Sequence, residues 1–247
     1  MTTMLVSPTI ARFPALRHLA FLSPFGLTFN PMKTVTQPHL ERFIVFEGGD
    51  GAGTTTQLKI LGRSLERSGV PHWITSEPTD HPEGLLIRRI LAGELSRDPG
   101  TLARLYAADR NEHLRGKGGI LEHLDRGDTV VCDRYIFSSL AYQGVACGPE
   151  LPFELNSGFP LPKLLIFFDI QPSLSMERLS SRSSLDIFEE LPFQEKVHIA
   201  YKEAIGRYYD SGMSVVIVDA SRPVEIVASA IRSAIGEKLG IELDYGE

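Results

Sequence analysis

Five short apolar runs punctuate the chain from residue 42 onward: Phe43–Phe46, Trp73–Thr75, Thr129–Cys132, Leu164–Phe168 and Val215–Val218. They are rich in β-branched and aromatic residues and lack an alternating polar face, which predicts strands buried on both sides. Between them lie longer segments with helical spacing. Leu58, Leu61 and Leu65, for example, place one apolar stripe along a helix. Strand–helix alternation predicts an α/β fold built on a parallel sheet with right-handed crossovers. Residues 145–163, with Pro149, Pro152, Pro160 and Pro162, read as a loop before the fourth strand. No internal repeat interrupts this order.

An acid follows each run within two residues: Glu47, Glu77, Asp133, Asp169 and Asp219. Open parallel sheets bind ligands beyond the carboxyl ends of their strands. Acids gathered there repel a phosphate unless cations intervene, so magnesium and arginines are expected at that edge.

Residues 1–40 break the pattern. They carry Arg12, Arg17 and Lys33 but no acid, so this segment reads as an extension ahead of a domain spanning 41–240. An organellar presequence and an upstream start with Met32 as the true first residue are the other readings. The whole chain of 247 residues has a formal charge of −6, and the part beyond residue 40, with 22 basic against 31 acidic residues, stands at −9. That balance argues against a nucleic-acid partner. No apolar run is long enough for a membrane span. Cys132 and Cys147 form no metal-ligand spacing, which suits a reducing cytoplasm.

The first strand runs directly into Gly48-Gly49-Asp50-Gly51-Ala52-Gly53-Thr54-Thr55-Thr56, and then into the Leu58/Leu61/Leu65 helix. Glycines let successive N–H groups turn inward, and the helix N-terminus adds positive potential, which together make a phosphate cradle. The usual form of such a cradle is GxxxxGK[ST]. Here Gly48 and Gly53 keep the spacing and Thr55 supplies the hydroxyl, but Thr54 replaces the lysine. Removing one preorganised charge-stabilising donor typically costs about 2.7–4 kcal/mol of barrier.

Three separated motifs carry a resemblance. Phe46-Glu47-Gly48-Gly49-Asp50-Gly51-Ala52-Gly53, Leu105-Tyr106-Ala107-Ala108-Asp109-Arg110, and Asp133-Arg134-Tyr135 continuing to Ser138-Ser139-Leu140-Ala141-Tyr142-Gln143-Gly144 resemble the thymidylate kinases, in family order over about residues 42–235. The resemblance implies a P-loop kinase fold with a five-stranded parallel sheet, flanking helices and a short lid at about 176–190. It implies transfer of a phosphoryl group from ATP, with Mg2+, to dTMP, and a homodimer. Gly48 to Thr56 would hold ATP, with Thr55 and Asp133 at the metal. Asp50, Glu77, Arg88, Tyr106, Arg110, Arg134, Ser139, Tyr142 and Gln143 would hold dTMP. Tyr106 and Arg110 are four apart on a helix and so share a face, one to stack on a pyrimidine and one to donate to its carbonyl. Arg134 is a fork suited to a monophosphate, and Asp133 beside it could orient that fork or hold a metal-bound water. Arg178 and Arg182 fall in the lid, where the resemblance puts the catalytic arginine, with Arg134 and Asp133 completing the catalytic set.

Three positions depart from that pattern, each by losing positive charge: Thr54 in the loop, Ser76 before Glu77-Pro78, and Ile187 in the lid. They keep open a second reading, a thymidylate-binding protein with weak or no catalysis. A kinase of another nucleotide is a third. A GTPase-like switch lacks its Asn-Lys-x-Asp guanine motif.

Overall fold

The computed structural model describes residues 37–179, 188 and 190–244. Five strands form one sheet in the order β2-β3-β1-β4-β5, every pair parallel. They are β1 (His39–Gly48), β2 (His72–Ser76), β3 (Thr129–Asp133), β4 (Leu161–Asp169) and β5 (Ser214–Asp219). The α/β, P-loop kinase architecture expected from the sequence is therefore present. Helix α1 (Thr54–Arg67) follows β1; α2 (Pro82–Leu91), α3 (Pro99–Arg115) and α4 (Ile120–Asp125) lie between β2 and β3. Between β3 and β4 the chain forms α5 (Ile136–Ser138), a π turn (Ser139–Gln143), α6 (Gly144–Cys147) and α7 (Glu150–Asn156). Then come α8 (Pro172–Leu179), α9 (Leu191–Arg207) and, after β5, α10 (Val224–Leu239).

The two-residue period of β1 divides the core. Phe43 and Val45 face a layer that includes Val130, Cys132, Leu165, Phe167 and Tyr201, whereas Ile44 and Phe46 face Leu58, Leu61 and Leu65 of α1 and Ile231 and Ile235 of α10. Each face of a central strand is thus sealed by helices, so these strands are apolar on both sides. The expectation of two-sided burial holds for β1, β3 and β4. Residues of β2 and β5 are only half-buried for most of their length, because these are the edges of the sheet.

The strands also extend beyond their apolar runs. Asp133, Asp169 and Asp219 are the last residues of strands rather than the first of loops, and Glu47 is next to last in β1. The backbone ladder holds a polar residue in register as readily as an apolar one. At the other end, β1 begins at His39, ahead of the boundary expected at 41. An irregularity between Leu40 and Ile44, with Arg42 at φ 60°, breaks the period that a pattern reading relies on. Gln37 is buried and its amide donates to the carbonyls of Asn156, Ser157 and Phe159. Residues 145–163 are a further correction: they contain α7 and the start of β4. Proline is tolerated there because Pro149 and Pro152 lie at the start of the helix, where backbone N–H groups have no intrahelical acceptor.

Helix α2 docks through Gly84. A Cβ at that position would stand 2.1 Å from the Thr79 carbonyl oxygen. Alanine is the better helix former by about 1 kcal/mol, yet Gly84→Ala is expected to lower stability by about 1–3 kcal/mol through overpacking. Urea unfolding checks the sign; a raised midpoint would mean that α2 does not press on residue 79.

Candidate active site

Strand register brings the chemistry together. Phe46 pairs with Asp133, and Asp133 with Ser76, so the ends of β1, β3 and β2 stand side by side. The Arg134 N–H donates to the Phe46 carbonyl and the Glu77 N–H to the Asp133 carbonyl, which extends that alignment past the strands. The chain departs to one side of β1 for β2 and β3 and to the other for β4 and β5, so the glycine loop opens at the point where strand order reverses.

Within the loop the Ala52 N–H donates to the Gly49 carbonyl. The N–H groups of Gly51, Gly53, Thr54 and Thr55 find no acceptor among the described residues. Four free donors at the mouth of a 14-residue helix are the physical content of a phosphate cradle. Gly51 (φ 77°) and Gly53 (φ 91°) adopt left-handed backbone, and a Cβ on Gly51 would lie 2.4 Å from the Ser175 carbonyl oxygen of α8. Gly49, Asp50, Gly51, Gly53, Thr54, Thr55 and Thr56 line a cleft of about 670 Å³. Gly48 and Ala52 do not line it. Ala52 is buried against the α1 side of the core and sits against Gly48.

Ser76, Glu77, Arg88, Tyr106, Arg110, Asp133, Arg134, Tyr142, Gln143 and Arg178 line the same cleft. Every dTMP-site residue expected from the sequence therefore reaches one cleft, with the exception of Ser139. Ser138 lines the cleft, whereas Ser139 lies behind it and accepts from Arg110. Ser138 closes α5 and Ser139 opens the π turn, so the two neighbours point in different directions. Arg182 and Ile187 lie outside the described residues. Residues 176–179, expected in the lid, complete α8.

Arg134 sits in left-handed backbone (φ 68°) and its Nη2 meets Asp50 Oδ1 at 2.6 Å. Its fork also lies over the Tyr142 ring at 5.2 Å. Burial opposes its charge, but Tyr142, Asp50, Tyr201 and Asp133 outweigh that and hold its pKa well above the ordinary guanidinium value. Arg134 is thus clamped by Asp50 rather than by its neighbour Asp133. Asp133 Oδ2 instead accepts from the Thr54 hydroxyl at 3.2 Å, and its Oδ1 is buried with no hydrogen-bond partner among the described residues. Burial raises the Asp133 carboxyl, offset in part by Arg134 and by the Thr54 hydrogen bond. Arg110, 1% exposed, grips Glu77 through Nη2 (2.7 Å) and Nε (2.9 Å) and donates to Asn156 Oδ1. Arg88 is half-exposed beside Asp80 and donates to the Pro78 carbonyl. Arg178 donates to the Ala220 carbonyl at 3.1 Å.

Several site residues escape a sequence reading. Gln194 of α9 donates to Asp50 Oδ2 (2.8 Å) and to the Phe188 carbonyl (3.0 Å), and Tyr142 also donates to Asp50. The Tyr201 hydroxyl reaches both Glu47 (3.1 Å) and the Gly48 carbonyl (3.2 Å). The contacts of Gln194 with Asp50 and of Tyr201 with Glu47 span more than 140 positions of sequence and leave no local trace. Glu47 did leave one: a carboxylate inside an apolar strand must find partners. It accepts from the Tyr135 and Ser138 N–H groups, the Ser138 hydroxyl and Tyr201.

Burial raises the Glu47 carboxyl above its ordinary 4.5, against the pull of the Ser138 hydrogen bond and of Arg134. The folded state therefore keeps a proton that the unfolded state releases, and this group's contribution to stability falls as pH climbs from about 4.5 through the folded value. Glu47→Gln lacks this titration, so its stability relative to wild type is expected to improve over that window. Thermal unfolding of both proteins across the range checks it, and a flat difference refutes it.

The thymidylate kinase family model matches residues 46–231. A thymidylate kinase of Bacillus licheniformis is 36% identical over 209 residues, covering 80% of this chain and 96% of its own. One of Geobacillus sp. (strain WCH70) is 35% identical over 210 residues, covering 80% and 97%. A Treponema pallidum (strain Nichols) protein, whose name places it provisionally with the thymidylate kinases, is 40% identical over 195 residues, covering 78% and 93%. With the phosphate loop, the arginine fork and the Tyr106–Arg110 wall in one cleft, these likenesses cover the domain from β1 into α10, and the chain belongs to the thymidylate kinase family.

Proposed function

We infer that the chain is a kinase that transfers the γ-phosphoryl group of ATP to dTMP, giving dTDP and ADP. A phosphate oxygen of dTMP forms the new bond to the γ-phosphorus, and the bond to the ADP oxygen breaks. The observation that carries this reading is the convergence of two anion sites on one cleft: the free loop N–H groups and the Arg134 fork that Asp50 of the same loop clamps. Phosphoryl transfer requires positioning and charge neutralisation rather than a covalent intermediate, and two preorganised sites supply the first. No observation among the described residues favours a silent binding protein.

The roles follow from chemistry. Backbone N–H groups from Gly49 to Thr55 hold the donor phosphates. Arg134, with Arg88 nearby, holds the acceptor phosphate, and the Asp50 clamp fixes the plane of its fork. Tyr106 and Arg110 receive the base, and Tyr142 and Gln143 wall the sugar and base. Arg178 lies near the loop, its Nη1 about 4.0 Å from where a Cβ on Gly53 would be, and brings the charge that Thr54 does not. Arg182 serves the same end in this reading.

The site suits magnesium. Asp133 Oδ1, which has no partner among the described residues, and the Thr55 hydroxyl are hard oxygen donors of the kind that ion takes, directly or through water. Asp133 and Thr55 would hold it, where it neutralises charge on the transferring phosphates. We also propose a homodimer, as the resemblance implies. No described helix is long and apolar enough to cross a membrane. The free cysteines suit a reducing cytoplasm, the setting we assign.

A coupled assay of ADP release tests the reading. With Mg-ATP, wild type is expected to release ADP only when dTMP is added, and dTMP-independent release alone would refute it. Arg134→Lys keeps the charge but loses the fork, and kcat/KM for dTMP is expected to fall about 10²–10³-fold, in the range for a preorganised charge-stabilising donor. Thr54→Lys restores the usual loop charge and is expected to raise kcat. A lower kcat would show that the Thr54–Asp133 contact matters more than the missing charge.

A further inference from the structure

Arg110 has five N–H donors, and its described contacts engage four. Nε and one Nη2 hydrogen face Glu77, the second Nη2 hydrogen is shared by the Tyr135 carbonyl (3.0 Å) and Ser139 Oγ (3.1 Å), and Nη1 donates once to Asn156. One Nη1 hydrogen remains, on a residue that lines the cleft. A guanidinium held on three sides offers that last donor in a single direction.

The hold depends on Glu77, and Glu77 is gripped twice. While Oε2 meets Arg110, Oε1 accepts from His113 Nδ1 at 3.0 Å. His113 stands three residues beyond Arg110 in α3, so one helix face presents both groups to the carboxylate. The far nitrogen, Nε2, lies 2.7 Å from Thr75 Oγ1, and the ring meets Trp73 edge-on at 5.7 Å. Trp73, Thr75 and Glu77 alternate along β2 and its continuation, so the imidazole lies across one face of that strand. The neutral tautomer with hydrogen on Nδ1 satisfies both contacts: it donates to Glu77 and accepts from the Thr75 hydroxyl. His113 is 2% exposed and does not line the cleft.

We propose that His113 is a positioning residue for base selection: by fixing Glu77 it fixes the plane of Arg110, and so the direction of the one donor offered to the base. The proposal rests on the dTMP reading above and deepens it. A fixed N–H donor accepts a pyrimidine carbonyl and rejects an exocyclic amino group, because two opposed donors both stay unpaired in a desolvated site. Thymine is favoured over cytosine only while that donor cannot swing aside.

Steady-state kinetics of full-length wild type, His113→Phe, His113→Asn and Thr75→Val with dTMP, dCMP and ATP test this. His113→Phe keeps a ring but loses both hydrogen bonds. It is expected to raise KM for dTMP about tenfold, as for a lost hydrogen bond near 1.4 kcal/mol, to leave KM for ATP unchanged and to narrow the dTMP-over-dCMP ratio of kcat/KM. His113→Asn, whose amide N–H takes the place of Nδ1–H, is expected to recover most of the ratio. Thr75→Val moves the ratio the same way by less, and carries the test if His113→Phe does not fold. Equal losses for dTMP and dCMP, no advantage of Asn over Phe, or an unchanged ratio in Thr75→Val each overturn the proposal. A wild type that transfers no phosphate to dTMP overturns the functional reading itself, before any variant is compared, and the proposal falls with it.

Discussion

Charge balance at the carboxyl edge of the sheet governs this molecule. Asp50, Glu77 and Asp133 line a cleft that must admit polyanions and Glu47 is buried beside it, with two guanidiniums among them, the buried Arg110 and the half-buried Arg134. Arg110 neutralises Glu77 and Arg134 neutralises Asp50. Glu47 is left to hydrogen bonds from Ser138, Tyr135 and Tyr201, and Asp133 to the Thr54 hydroxyl. The two carboxyls without their own cation are the two that burial pushes toward holding a proton. Removing one partner from the Arg110–Glu77 pair would strand a buried charge, which is far costlier than never having built the pair.

The same balance recasts the missing loop lysine. In this chain the hydroxyl of Thr54 is turned onto Asp133, so the loop residue contributes to settling that carboxylate rather than reaching toward a phosphate. The three losses of positive charge at positions 54, 76 and 187 leave the buried Arg110–Glu77 pair and the half-buried Arg134–Asp50 pair intact. In the proposed reading, charge for the transferring group comes from magnesium and from the lid arginines, of which Arg178 lines the same cleft.

Much of this was legible in the chain. The five strands and the loop followed from apolar runs and glycine spacing because parallel strands sealed on both faces and a tight phosphate turn each admit few residue types. Asp133-Arg134 and Tyr106–Arg110 were legible because they are local pairs. What stayed hidden was long-range. Gln194 and Tyr201 come from α9 to meet a loop far away in sequence, and Gln37 ties the start of β1 to the turn after α7. That Ser138 rather than Ser139 lines the cleft was hidden for another reason, since two adjacent serines offer a pattern reading nothing to tell them apart. Polar residues are the weakest part of a pattern reading, because a buried one looks like a surface one until its partner is known.

The absent side chain at Gly51 has a mechanical consequence. With the Ser175 carbonyl pressed into the space that a Cβ would fill, the phosphate loop and α8 meet backbone to backbone. Backbone contact has no rotamers to absorb displacement, so loop and helix shift as one rigid body. The α8 backbone that carries Arg178, one turn further along, is therefore referenced directly to the cradle, so the root of that side chain is set by the fold of the loop rather than by a hinge between them.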